Sequence, residues 1–88
     1  MMFIRDPIKS NIWKEVDFNK TFQYKSLKEV EDILGEPDLF QIRDGLIILD
    51  YNDLVYAKHK VIRYQFVRLI FYQNRCTVLL PQNIYYKK

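Results

Sequence analysis

The stretch Ser26-Leu27-Lys28-Glu29, closed off at Gly35-Glu36-Pro37, constrains this chain more than any other part of it. A serine and a glutamate three residues apart form a capping box, in which the hydroxyl accepts from the Glu29 N–H and the glutamate reaches back to the serine N–H. The pattern predicts a helix beginning at Leu27, with Leu27, Val30, Ile33 and Leu34 on one stripe and Lys28, Glu29, Glu31 and Asp32 toward solvent. Gly35 supplies a left-handed C-terminal cap and Pro37 blocks continuation. Burying the four apolar side chains contributes about 1.5–3 kcal/mol each, while ordering about eight backbone residues costs about 1–2 kcal/mol apiece. Such a helix does not stand alone; it needs a sheet to lie on.

Strands follow downstream. Leu39 to Ile42 and Leu46 to Tyr51 flank Arg43-Asp44-Gly45, whose Asp-Gly dipeptide suits a hairpin. The second of these strands is apolar nearly throughout and is expected in the middle of the sheet. After a polar link from Asn52 to Lys60, the run Val61 to Tyr72 reads as the longest strand. It turns at Gln73-Asn74-Arg75 and returns through Cys76 to Leu80, ending at Pro81. Its alternation is broken: Ile62, Tyr64 and Phe66 share one parity, Val67, Leu69 and Phe71 the other. A bulge near Phe66 to Arg68 reconciles the two, and a strand covered on both faces is the alternative. Upstream, Asp6-Pro7 resembles an N-cap with proline at the first helical position, and Ile8, Ile12, Trp13 and Val16 roughly keep helical spacing. This predicts a first helix over about residues 7–16, followed by a connector from Asp17 to Lys25 with Phe18, Phe22 and Tyr24 as packing points. The expected fold class is α+β: two short N-terminal helices packed on an antiparallel sheet of three to four strands, in one domain spanning residues 1–88.

A chain of 88 residues, 49% of them apolar, can fill one core without a metal or disulfide staple. Cys76 is the only cysteine, so no internal disulfide forms and a reducing compartment is expected. Met1 to Pro7 lacks the apolar stretch of a secretory signal, and no run approaches the roughly 20 apolar residues that span a bilayer. The expectation is a cytoplasmic protein with no membrane partner. A net charge of +3 permits weak attraction to polyanions without demanding it.

The order helix, helix ending in Leu-Gly-x-Pro-Asp, then antiparallel strands resembles the small outer-membrane lipoprotein family called SmpA/OmlA and the repeated unit of β-lactamase inhibitor proteins. The matching residues are Leu27 to Asp38, then an aromatic strand end at Asp50-Tyr51 and a later strand with Phe66 and Phe71. The chain departs from that pattern in having no lipobox, and in having Tyr24-Lys25-Ser26 where a glycine often precedes the family's second helix. The resemblance implies two helices layered on an antiparallel sheet whose exposed face or loops bind another protein.

No catalytic constellation is expected. His59, the only histidine, sits between Lys58 and Lys60 with no Ser, Cys or Asp at motif spacing, and reads as a solvated loop residue rather than a base. Cys76 opens an apolar strand, where a small buried hydrophobe competes with a reactive thiol. Asp44, Asp50 and Asp53 do not follow the calcium-loop spacing and read as turn and surface residues, so no metal site is expected. With only Gly35 and Gly45, both already assigned to a cap and a turn, a glycine-rich phosphate loop has no residues to form from, and no cofactor is expected.

Tyr51, Tyr56, Arg63, Tyr64, Arg68 and Tyr72 stand out instead as candidate partner-binding residues, since aromatics and arginines on a sheet face anchor protein interfaces or stack single-stranded bases. They can equally seal the sheet against its helices. The leading expectation is a small protein-binding module that inhibits or neutralises a partner by occlusion, as immunity proteins do. The alternative is a single-stranded nucleic-acid-binding protein using a basic aromatic strand face around Arg63, Tyr64 and Arg68. A free sheet edge also allows a homodimer by strand pairing, with Cys76 to Leu80 as the candidate edge.

Overall fold

The computed structural model describes residues 12–81 and 84–86. In chain order these form β1 (Trp13–Lys14), α1 (Glu15–Phe22), α2 (Leu27–Leu34), β2 (Leu39–Arg43), β3 (Leu46–Asn52), β4 (Val55–Tyr56), β5 (Ile62–Tyr64), β6 (Phe66–Tyr72), β7 (Arg75–Leu79) and β8 (Ile84–Tyr86). The class is α+β, as expected, but the strands divide into two four-stranded sheets, ordered β1-β4-β5-β8 and β2-β3-β6-β7. Every pairing is antiparallel except β1 with β4.

α2 begins and ends where its caps place it. The Ser26 hydroxyl accepts from the Glu29 N–H at 3.2 Å, and Glu29 Oε1 accepts from the Ser26 N–H at 2.9 Å. Gly35 closes the helix at φ 78° while its N–H donates to the Glu31 carbonyl at 2.8 Å. Val30 and Leu34 are buried and Leu27 and Ile33 pack beside them, so the predicted stripe meets the core.

The first helix departs from expectation. Residues 7–11 lie outside the described residues, but Trp13 and Lys14 form a parallel bridge to Val55 and Tyr56, and the helix starts only at Glu15. It runs through what reads as a connector, Asn19-Lys20-Thr21, because Phe18 and Phe22 stand one turn apart and both are fully buried. Weak local propensity is overridden by an aromatic cluster: Trp13 meets Phe18 and Phe22 edge-on at centroid distances of 5.9 and 5.1 Å. Tyr24 at φ 70° then turns the chain into α2.

The parity conflict in residues 61–72 is resolved by neither a bulge within one ladder nor a doubly covered strand. The run breaks at Gln65, and its two pieces join different sheets: β5 pairs with β4 and β8, β6 with β3 and β7. The link from Asn52 to Lys60 is not wholly polar surface either. Leu54 and Val55 are buried, and Leu54 accepts from the Trp13 N–H at 2.9 Å.

Both hairpin turns in the sheet β2-β3-β6-β7 use left-handed pairs, Asp44-Gly45 and Gln73-Asn74, which is the I′ geometry that matches strand twist. The register follows from those turns. Phe40, Leu49, Leu69 and Val78 form one cross-strand row, and Ile42, Ile47, Phe71 and Cys76 the next. These rows lie on the helix side; their members on β3, β6 and β7, with Phe18, Phe22, Val30, Leu34, Tyr51 and Val67, build one contiguous core, while Phe40 and Ile42 at the β2 edge stay exposed. No helix among the described residues is long and apolar enough to cross a membrane.

Candidate functional site

Side chains alternate across a strand, so the rows between the core rows point the other way. Leu39, Asp50, Arg68 and Leu79 make one of them; Gln41, Ile48, Ile70 and Thr77 the second; Arg43, Leu46, Tyr72 and Arg75 the third. Among the described residues both helices pack on the core side, and this second face carries none. Leu39 is 49% exposed, Leu79 47% and Tyr72 63%, around the better shielded Ile48, Ile70 and Leu46.

A charge pair sits in the middle of this apolar face. Arg68 donates from Nε to Asp50 Oδ1 at 2.8 Å and from Nη2 to Asp50 Oδ2 at 2.9 Å, a fork that matches both carboxylate oxygens. Asp50 is 6% exposed, the one buried charged residue of the described chain. The hydrogen bond to Asp50, more than any other influence, holds the Arg68 guanidinium above its already high ordinary pKa. The guanidinium also lies 5.3 Å from the Phe66 ring centroid. The face therefore presents a neutralised pair flanked by leucine, isoleucine and tyrosine, with Arg43, Arg75 and Thr77 at its exposed margin.

The six residues singled out from sequence do not form one site. Arg68 and Tyr72 lie on this face. Tyr51 has the opposite parity, is 4% exposed, and donates its hydroxyl to the Gly35 carbonyl at 2.7 Å, so it ties β3 to the end of α2 and is closed to any partner. Burial raises its phenol pKa. Tyr56, Arg63 and Tyr64 belong to the other sheet, where Tyr56 pairs with Arg63. Arg63 donates from Nη1 to Asp53 at 2.9 Å and from Nε to the Lys60 carbonyl, and Tyr85 donates its hydroxyl to the same Asp53 oxygen. Tyr64 donates to Glu15 Oε1 at 2.8 Å; burial first, and this bond second, raise its pKa. Tyr64 thus ties the second sheet to α1 and Arg63 ties it to the β3–β4 corner, while Tyr56 is placed by its pairing with Arg63.

An open groove of about 390 Å³ runs beside that corner between Asn52, Gln65, Phe66 and Tyr85. Cys76 is fully buried in the core, and burial pushes its thiol up to about 12, so it is protonated and shielded at neutral pH. His59 is exposed. No group of three His, Cys, Asp or Glu side chains among the described residues stands close enough to hold a metal ion.

Sequence reasoning missed Leu39, Leu46, Ile70 and Leu79 as parts of the face. The signal was present in β3 and β6, where both parities are apolar, but doubly apolar strands read as buried strands unless the packing shows that one side carries no helix among the described residues. No protein-family model, curated protein or solved structure matches this chain.

Proposed function

We propose that this chain is a small cytoplasmic protein-binding module without catalysis of its own, which blocks a partner protein by covering it with the helix-free face of the sheet β2-β3-β6-β7. The observation that carries this reading is the apolar face itself, exposed at Leu39, Tyr72 and Leu79 and organised around the self-satisfied pair Asp50–Arg68. Four strands about 4.8 Å apart and five to seven residues long give a patch of roughly 300 Å², within the range at which exposed apolar patches on monomers are functional. A standard interface needs about 800 Å² per partner, so the partner also contacts the rim around Arg43, Arg75 and Thr77. Occlusion suits a sheet face, whose strands set side chains side by side and so can cover a partner's site.

Nucleic-acid binding fits the same surface less well. Arg63 and Arg68, the cations on which that reading depends, already have carboxylate partners at 2.9 and 2.8 Å and present no free charge to a phosphate.

Affinity purification of the tagged chain from its native host, with a nuclease-treated control, tests the proposal. One protein recovered near stoichiometry, insensitive to nuclease and lost with the variant Tyr72→Glu/Leu79→Glu, is the expected result. Recovery of nothing, of nucleic acid alone, or of a partner that this variant still captures refutes it.

A further inference from the structure

The sheet β2-β3-β6-β7 has two edges, and they are in different states. On β7, Cys76 and Val78 direct their backbone groups outward. The Cys76 N–H donates to the Lys25 carbonyl at 3.0 Å, its carbonyl accepts from Tyr24 at 2.7 Å, and the Val78 N–H donates to Gln23 Oε1 at 3.0 Å. The segment between the two helices thus closes this edge, which sequence reasoning had offered as the one free for strand pairing.

β2 is different. Its hairpin fixes Arg43 and Leu46, Gln41 and Ile48, Leu39 and Asp50 as hydrogen-bonded pairs, which turns the N–H and C=O groups of Phe40 and Ile42 outward. No described group meets them. The usual protections of an edge, a proline, a bulge or a central lysine, are absent from Leu39-Phe40-Gln41-Ile42-Arg43. Instead Leu39 is 49%, Phe40 48% and Ile42 70% exposed.

We infer that β2 pairs antiparallel with β2 of a second copy, about a two-fold axis through Gln41, to make one continuous eight-stranded sheet. The register is set by the strand itself. A two-fold axis normal to the sheet keeps the helices of both copies on one side and places residues whose numbers sum to 82 opposite each other. Phe40 then lies opposite Ile42 of the second copy, and Ile42 opposite its Phe40. These are the two positions with outward backbone groups, so all four N–H and all four C=O groups of the two edges are used in the four hydrogen bonds this register forms between them and the carbonyls they face. Their side chains form two aromatic–aliphatic cross-strand pairs on the helix side. A register moved by two residues places Phe40 opposite itself and Ile42 opposite Asp38, replacing both of these pairs by a single aromatic pair.

Charge does not favour the arrangement. Asp44 of each copy comes opposite Asp38 of the other at the strand ends, while Arg43, one residue along, lies on the other face of the sheet. The exposed parts of Leu39, Phe40 and Ile42 amount to roughly 300 Å² per copy, about 600 Å² in all, or half the ~1,200 Å² of the smallest stable interfaces. The dimer is accordingly weak and concentration-dependent. It shares only Leu39 with the helix-free face, and Tyr72→Glu/Leu79→Glu separates the two surfaces, so it is tested independently of the proposed function.

Sedimentation and backbone amide exchange on the whole chain, from about 10 µM to about 1 mM, test the pairing over the range in which an interface of this size dissociates. The expected result is a monomer–dimer equilibrium with protection of the Phe40 and Ile42 amides rising with concentration. Ile42→Lys, at a position already exposed, is expected to weaken association at least about ten-fold with the urea midpoint unchanged, while Tyr72→Glu/Leu79→Glu leaves association intact. A monomer throughout with exchange independent of concentration overturns the inference, and so does a dimer indifferent to Ile42→Lys.

Discussion

Replacing Arg68 with leucine while keeping Asp50 is expected to destabilise the fold far more than the reverse replacement. Asp50 is 6% exposed and its carboxylate accepts from two guanidinium N–H groups, at 2.8 and 2.9 Å. Losing one member of a fully buried pair costs about 3–5 kcal/mol. The Arg68 side chain is 37% exposed, so water reaches the stranded carboxylate and screens part of that penalty, leaving about 2 kcal/mol. Asp50→Leu leaves a guanidinium that can turn to solvent, and costs about 0–1 kcal/mol. With both replaced, the face becomes continuous leucine and isoleucine, and stability returns to within about 1 kcal/mol of the parent. Urea unfolding of the four proteins measures this cycle: at a slope of about 1–2 kcal/mol per molar for a domain of this size, Arg68→Leu lowers the midpoint by about 1–2 M. Equal costs for the two single replacements, or a cost for Arg68→Leu below about 0.5 kcal/mol, would refute the reasoning and make the pair an ordinary surface contact.

Phe22→Ala, which empties the space where α1, Trp13 and Phe18 meet, is expected to cost about 3–5 kcal/mol by urea unfolding, against under about 1 kcal/mol for Tyr72→Ala on the exposed face. Ser26→Ala removes one half of the capping box and should cost about 1 kcal/mol at pH 7. The Ser26 backbone N–H first, and its hydroxyl second, hold the Glu29 carboxyl below the usual carboxylate range; its contribution is present above the unfolded pKa and disappears as pH falls through the folded one, so Ser26→Ala, which keeps the N–H, should flatten the acid limb of the stability curve only in part. In alkali the sign reverses. The Cys76 thiol ionises at about 12 when folded and about 8.5 when unfolded, so between these values the unfolded chain binds fewer protons and stability falls by up to about 1.4 kcal/mol per pH unit. Urea midpoints for the parent and Cys76→Ala at pH 7, 9 and 10.5 should diverge in slope, and parallel slopes would sink this account of the thiol.

The parts of the fold that were legible in the sequence are those whose determinants are local. Ser26, Glu29, Gly35 and Pro37 fix both ends of α2 within twelve residues, and Asp44-Gly45 fixes the β2–β3 turn and hence the facing of every residue in that hairpin. α1 was not legible, because Asn19 and Thr21 are poor helix formers and the helix is held by what Phe18 and Phe22 meet in space, Trp13 above all. Their spacing of four residues was the available clue. The change of sheet at Gln65 left a trace, the parity conflict between Tyr64 and Val67, but a bulge and a change of sheet leave the same trace in one dimension. The candidate face was hardest to see. Tyr51 and Arg68 lie one residue apart in the pairing, Tyr51 opposite Val67 and Asp50 opposite Arg68, yet that single step separates a core residue from a surface one.

The strip from Gln23 to Lys25 that covers β7 also bears on how far the inferred pairing could extend. A sheet with two open edges is a monomer unit of a filament, since each added copy presents a new place to add the next. With β7 met by the interhelical segment, pairing through the inferred β2 edge would use the one edge of this sheet that no described group meets, and the product would end on both sides in β7 strands already occupied at Cys76 and Val78. A few hydrogen bonds in an interhelical loop would then act as a chain terminator for growth through this sheet, without a single residue at the interface having to forbid a third copy.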